Sequence, residues 1–191
     1  MTLIGKNSIV SICADNYFKK VDKIQFPSAD IKGLHKYLPN VVSINELNNF
    51  NQLIIIDKPE NIYPLAIFDK LDAKQVAWII SRLENLACLF EYNQVDFEQI
   101  TKNDLYINPK THELFLLGGW NTFKNHQAPK TFLNDMRKIA LDILDLDTAP
   151  KMCIDFLNGS PASDAYTDFS NWDNVIEVGF GGHNFHKFDE S

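Results

Sequence analysis

The chain has 191 residues, with 18 lysines and arginines against 25 aspartates and glutamates, a formal charge of −7. At 45% hydrophobic and 23% charged residues it can bury a sizeable core, which excludes disorder over most of its length. The acidic balance and scattered basic residues argue against a nucleic-acid partner, because releasing counterions from phosphates needs a basic face.

Met1–Lys6 has neither a basic start nor a long enough apolar stretch for a secretory signal. No run reaches the ~20 apolar residues that span a bilayer, since Lys58, Arg82 and Glu84 interrupt the apolar clusters. Cys13, Cys88 and Cys153 are odd in number, widely spaced and set in apolar surroundings, so they read as reduced core cysteines. The expectation is a cytoplasmic protein with no membrane partner.

In chain order, Ser8–Cys13 is β-branched and apolar, Asp15-Asn16 supplies turn chemistry, and Tyr17–Val21 follows, which predicts a hairpin. Ser28-Ala29-Asp30 is placed to cap a short helix through Tyr37, stopped by Pro39-Asn40. Gln52–Asp57 reads as a buried strand ended by Lys58-Pro59. Asp72 is the N-cap of a long helix to about Tyr92, with Val76, Ile80, Leu83, Leu86 or Ala87, and Phe90 on one face. Leu105–Ile107 and Glu113–Leu117 flank the turn residues Asn108–His112, a second hairpin. Thr131 caps another amphipathic helix, with Phe132, Met136, Ile139, Ile143 and Leu144 facing inward. Shorter helices follow at Lys151–Leu157 and Ser163–Val178, Gly179–Gly182 breaks the last one, and Phe185 and Phe188 tack the end onto the body.

This order is a strand-rich lobe, a linking strand, a long buried helix, a short hairpin and more helices, and it resembles the protein-kinase fold. Asp57–Leu65 resembles the hinge, Gln75–Leu83 the long helix beneath the catalytic loop, and Asp104–Pro109 with Leu116–Trp120 the catalytic-loop hairpin and metal-binding turn. Asp135–Ala140 resembles the start of the large-lobe helix, whose aspartate anchors the catalytic loop in kinases; Asp135 would do so here. The segment from Trp172 to Phe188 resembles small kinase-like proteins of bacteria and phages, some of which carry J-domain co-chaperone modules, although no J-domain sequence is present. The implied class is α+β and protein-kinase-like: a reduced β-rich lobe over 1–57, a hinge at 58–62 and a mainly helical lobe over 63–191, one domain overall.

The departures from the family pattern matter most. Phosphoryl transfer is positioning plus charge neutralisation, carried by a Lys, its Glu partner, a catalytic Asp, and the Asn and Asp that hold magnesium. Laying that pattern on this chain puts Phe97-Glu98-Gln99 where His-Arg-Asp would stand, and Gln99 is neutral. Gly118-Gly119-Trp120 takes the place of Asp-Phe-Gly, the phosphate loop shrinks to Ile4–Ser8 with one glycine, and Ser28–Tyr37 contains no Glu. Lys20 (or Lys19) falls at the strand lysine and Asp104 at the metal-binding Asn, as remnants of a nucleotide site. Each lost group is commonly worth several kcal/mol of transition-state stabilisation. The resemblance therefore implies a pseudokinase with no cofactor, acting as an interaction or scaffold module for a protein partner the sequence does not name. Two alternatives stand beside it: an atypical phosphotransferase with its carboxylates relocated to Asp96, Glu98 or Asp104, and an unrelated regulatory α+β protein.

Other groups read more plainly. His183 and His186 have a metal-like spacing but follow Gly181-Gly182, which favours a solvated tail. Asp142, Asp145 and Asp147 form a solvated acidic face, and Cys88 and Cys153 are inert thiols. Trp120 has two readings: a core anchor beside a glycine turn, or a plug for the vacated nucleotide pocket.

Overall fold

A computed structural model describes residues 2–4, 8–14, 33–38, 40–48, 51–119, 123–125, 127–185 and 188. Tyr17–Val21 with Lys19 and Lys20, the start of the expected helix at Ser28, Trp120 and His186 lie outside the described residues. The chain is an α+β fold with a β-sheet in its first part and a mainly helical remainder, the bilobal arrangement expected from the sequence.

Strands β1 (Thr2–Ile4), β2 (Ser8–Ala14), β3 (Val41–Asn48) and β4 (Asn51–Asp57) form an antiparallel sheet in the order β1-β2-β4-β3. Strand β2 pairs with β4 along its full length, from Ser8 opposite Asp57 to Ala14 opposite Asn51. The described neighbours of Ser8–Ala14 are therefore β1 and the sequence-distant β4. Strand β3 has no counterpart in the sequence reading, because Val42 and Asn45 are exposed and no apolar stripe marks the run. Over its described part, the expected helix to Tyr37 is a single 3-10 turn, Leu34–Lys36. Gly33 before it has φ 87°, a left-handed conformation that α geometry does not tolerate, and a Cβ there would lie 2.7 Å from Leu89 Cδ2.

After β4 comes the short β5 (Tyr63–Pro64), then helix α1 (Ala73–Asn93). Asp72 caps α1 as expected: its Oδ1 accepts from Lys74 N at 2.9 Å, and Gln75 Oε1 accepts from Asp72 N at 3.2 Å. Thr148 Oγ1 accepts from Ala73 N at 2.9 Å, satisfying another end amide. Gln94, at φ 52°, ends the helix.

Strands β6 (Val95–Phe97), β7 (Leu105–Asn108), β8 (Glu113–Leu116) and β9 (Phe123–Asn125) follow, then α2 (Lys130–Ile143), α3 (Lys151–Asn158) and α4 (Ala165–Asn174). Strands β5, β7 and β8 form one small sheet, and β6 pairs with β9 in another. The helical core is knotted by aromatic rings: Phe90 of α1 lies 5.2 Å from Phe97 of β6 and 4.8 Å, edge to face, from Phe132 of α2. Such pairs add ~0.5–1.5 kcal/mol beyond the area they bury. A wider π turn, Val175–Gly179, extends α4, and Gly182 N donates to Ile176 O to close it. Phe188 does fold back as expected, 5.8 Å from the rings of both Phe68 and Trp78. No helix among the described residues is long and apolar enough to cross a membrane.

Candidate functional site

The loop from Glu98 to Asp104, between β6 and β7, is flanked by three carboxylates that each accept at least one backbone amide. Asp96 of β6 is 3% exposed. Its Oδ1 accepts from Phe97 N at 2.8 Å and Phe132 N at 3.0 Å, and its Oδ2 from Thr131 N at 2.9 Å. Helix α2 begins at Lys130 after Pro129, which offers no side-chain cap. Thr131 is therefore inside the helix rather than its cap, and Asp96 performs that task from another strand, its charge favoured by the helix dipole.

Asp135, on the first turns of α2, accepts from Ile100 N through Oδ2 at 3.1 Å and meets Lys138 Nζ through Oδ1 at 3.1 Å. This is the loop-anchoring contact expected of Asp135. Asp104 closes the loop: its Oδ2 accepts from Thr101 N at 2.8 Å and Thr101 Oγ1 at 2.7 Å. Leu117 N donates to Asp104 O at 2.8 Å, stitching the loop to the chain beyond β8.

Gly118 sits directly against that carboxylate. A Cβ at position 118 would lie 2.2 Å from Asp104 Oδ1 and 3.1 Å from Asp104 Cα, so the space for a side chain is already filled. Gly119 has φ 74°, and a Cβ there would fall 2.5 Å from Ile100 Cδ1. Phe97, where the kinase pattern has His, is buried against Phe90; Glu98 and Gln99 are exposed. Lys102 Nζ pairs with Asp142 Oδ2, so Asp142 belongs to an ion pair beneath the loop. Asp145 is also committed, its Oδ1 accepting from Asp147 N at 3.2 Å.

A magnesium ion demands near-octahedral oxygen ligands and is normally held by one or two carboxylates with substrate phosphates. The loop offers Asp104, already carrying two hydrogen bonds from Thr101, opposite a glycine. That donor set does not fit the ion. Among the described residues no cluster of three or more His, Cys, Asp or Glu side chains is placed to hold a metal. Of the two residues expected as remnants of a nucleotide site, Asp104 lies beside Gly118, while Lys20 lies outside the described residues. Strand β2, the neighbour of the hinge strand β4, contains no lysine.

The remaining expected groups are ordered differently from one another. Burial pushes the Cys88 thiol up to about 11, helped by the nearby Glu84 charge, and that of Cys153 up to about 12. His183 is exposed, as expected, but has acidic neighbours: its Nε2 lies 3.3 Å from Asp173 Oδ1 and 3.2 Å from Glu177 Oε1. His112 takes φ 56° in its turn and packs 4.9 Å from the Trp78 ring.

Two constructions escaped the sequence reading. Asn108 joins the β7–β8 turn to the hinge, accepting from Lys110 N and Thr111 N through Oδ1 and donating from Nδ2 to Glu60 O at 3.0 Å. In the helical core, Arg137 of α2 grips Asp168 of α4 with two hydrogen bonds, 2.7 and 2.8 Å, stacks over Phe156 and donates to its carbonyl. Glu84 of α1 is fully buried beside this pair; its oxygens accept from no described donor, and the protonated carboxyl hydrogen-bonds the Asp168 carboxylate. Desolvation first, then the Asp168 charge, outweigh the pull of Arg137 and raise the Glu84 carboxyl to about 9. The signal was present: Glu84 interrupts the apolar face of α1, four residues after Ile80 and two before Leu86, where a solvated charge does not belong.

A sheet lobe joined by a hinge to a helical lobe, with a loop tied by the aspartate of a later helix, defines a protein-kinase-like fold. No family model matches the chain, and no curated protein matches it in sequence. Among solved structures it is similar to the bifunctional kinase–methyltransferase WbdD, in a co-crystal with the kinase inhibitor LY294002. The TM-score is 0.59 at 9% identity, over 91% of this chain and 42% of that one. It is also similar to PK-1, the kinase of the Cydia pomonella granulovirus, with TM-score 0.56 at 14% identity, over 77% of this chain and 63% of that one. The chain therefore spans less than half of WbdD and under two thirds of PK-1, and at these identities the likeness is one of fold.

Proposed function

We infer that this chain is a kinase-like domain without phosphotransferase chemistry, working as a protein-interaction module. The observation that carries the reading is the contact between Asp104 and Gly118. The carboxylate that the kinase resemblance assigns to a metal ligand accepts two hydrogen bonds from Thr101 through Oδ2, and its Oδ1 occupies the space a side chain at 118 would need. The exposed Gln99 at the base position supports it, since a carboxamide takes up no proton at neutral pH. So does the lack of any glutamate between Ala14 and Val41, the stretch that would supply the lysine's partner. What persists is scaffolding: Asp135 on the loop, Asp96 on the helix end, and Asn108 on the hinge.

The test is a thermal-shift titration with ATP and magnesium, together with transfer of labelled phosphate to the chain itself or a generic acceptor. A bound nucleotide at a hundredfold excess over its dissociation constant stabilises by roughly 2.7 kcal/mol. The expected result is no shift and no transfer. A saturable shift without transfer removes the blocked site but leaves the chemistry absent. Transfer that disappears on Glu98→Gln establishes a relocated carboxylate and ends the proposal.

A further inference from the structure

Helices α1 and α4 present matched faces to one another around a cavity of about 300 Å³. From α1 come Trp78, Ser81, Arg82 and Asn85, and from α4 and its π turn come Phe169, Trp172, Asp173 and Ile176. Both sets follow the i, i+3, i+4, i+7 spacing of a single helical stripe. His112 from the β7–β8 turn and His183 and Phe185 from the segment after the π turn complete the walls. None of these residues belongs to the Glu98–Asp104 loop, so the cavity is separate from the site discussed above and stands whether or not that site is inactive.

The chemistry of the lining selects a ligand. Trp78, Phe169, Trp172 and Phe185 make it mainly aromatic, the composition of small-molecule sites with a few polar groups to fix orientation. The acid in the wall is already used, because Asp173 faces His183 Nε2 at 3.3 Å. The Trp172 indole N–H is used too, donating to Ser81 Oγ at 2.9 Å. Arg82 is different: it is exposed, lines the cavity, and holds no hydrogen bond or ion pair with any described residue. The charge left uncommitted in this aromatic chamber is therefore a guanidinium, whose planar fork matches a carboxylate or phosphate and stacks on rings.

We propose that the α1–α4 cavity is a binding site for a small aromatic anion, its ring packed on the half-buried Phe169 and Phe185 and its acidic group on Arg82. The probe is 1-naphthoate, titrated into the full chain and followed by quenching of emission from the wall tryptophans, with 1-naphthylmethylammonium as the counter-probe. Naphthoate is expected to quench saturably and to bind at least tenfold tighter than the ammonium. Arg82→Gln should weaken naphthoate ten- to hundredfold, the scale of a lost charged hydrogen bond, with the unfolding temperature unchanged because Arg82 is exposed and unpaired. Asn85→Trp, on the same exposed stripe, should fill the cavity and abolish the quench. Equal affinity for the two probes, unaltered binding in either variant, or no saturable quench would each overturn the site.

Discussion

Replacing Glu84 by glutamine tests the buried charge cluster. The carboxyl is raised from 4.5 to about 9 in the folded protein, so between those values the folded chain keeps a proton that the unfolded chain has released. The sign follows: its contribution to stability is greatest below 4.5 and declines as pH climbs toward 9. The slope for one retained proton is about 1.4 kcal/mol per pH unit, and the proton belongs to the Glu84–Asp168 pair rather than to one oxygen. From pH 5 to pH 8 the loss is at most about 4 kcal/mol, or roughly 8–16 °C in unfolding temperature for a chain of this size. Urea unfolding of wild type and Glu84→Gln across that range provides the assay. The variant should gain on wild type steadily with pH, because its neutral amide has no proton to retain. Parallel stability curves for the two proteins would refute a protonated Glu84.

Asp96→Ala strips two end amides of α2 and the Phe97 amide of their acceptor, and should cost about 2–4 kcal/mol in chemical denaturation, more than an ordinary exposed cap. Gly118→Ala pushes a methyl group into the Asp104 carboxylate and should cost about 1–3 kcal/mol. In an Asp104→Gly background the same alanine should cost less, because only the 3.1 Å contact with the Cα of residue 104 remains, which a double-mutant cycle reads directly. Alkylation by iodoacetamide at pH 8 should be slow at Cys88 and slower at Cys153, becoming fast in denaturant, as mapped by mass spectrometry.

The sequence made the long elements legible and the short ones not. Helix α1 announced itself through Asp72 and twenty-one residues of apolar periodicity, and the β7–β8 hairpin through Asn108-Pro109 between two apolar runs. Asp135 was found because a resemblance pointed at it, and its bond to Ile100 N is there. Strands of two or three residues, such as β5, β6 and β9, contain too few positions to show a period of two. The partners of Asp96 and Glu84 were not legible for another reason, although the charge of Glu84 on an apolar face marked it as unusual. Each is defined by a neighbour brought in from elsewhere in the chain, the amides of α2 for one and Asp168 with Arg137 for the other. Local patterns report on helices and turns; they carry no record of which polar atom ends up facing which.

The fit of Asp104 beside Gly118 also limits substitution. A side chain at 118 would meet both the Asp104 carboxylate and the Asp104 backbone, so a larger residue there requires a shift at 104 as well. Steric occupancy of this kind couples the two positions, so that neither can change in size independently of the other.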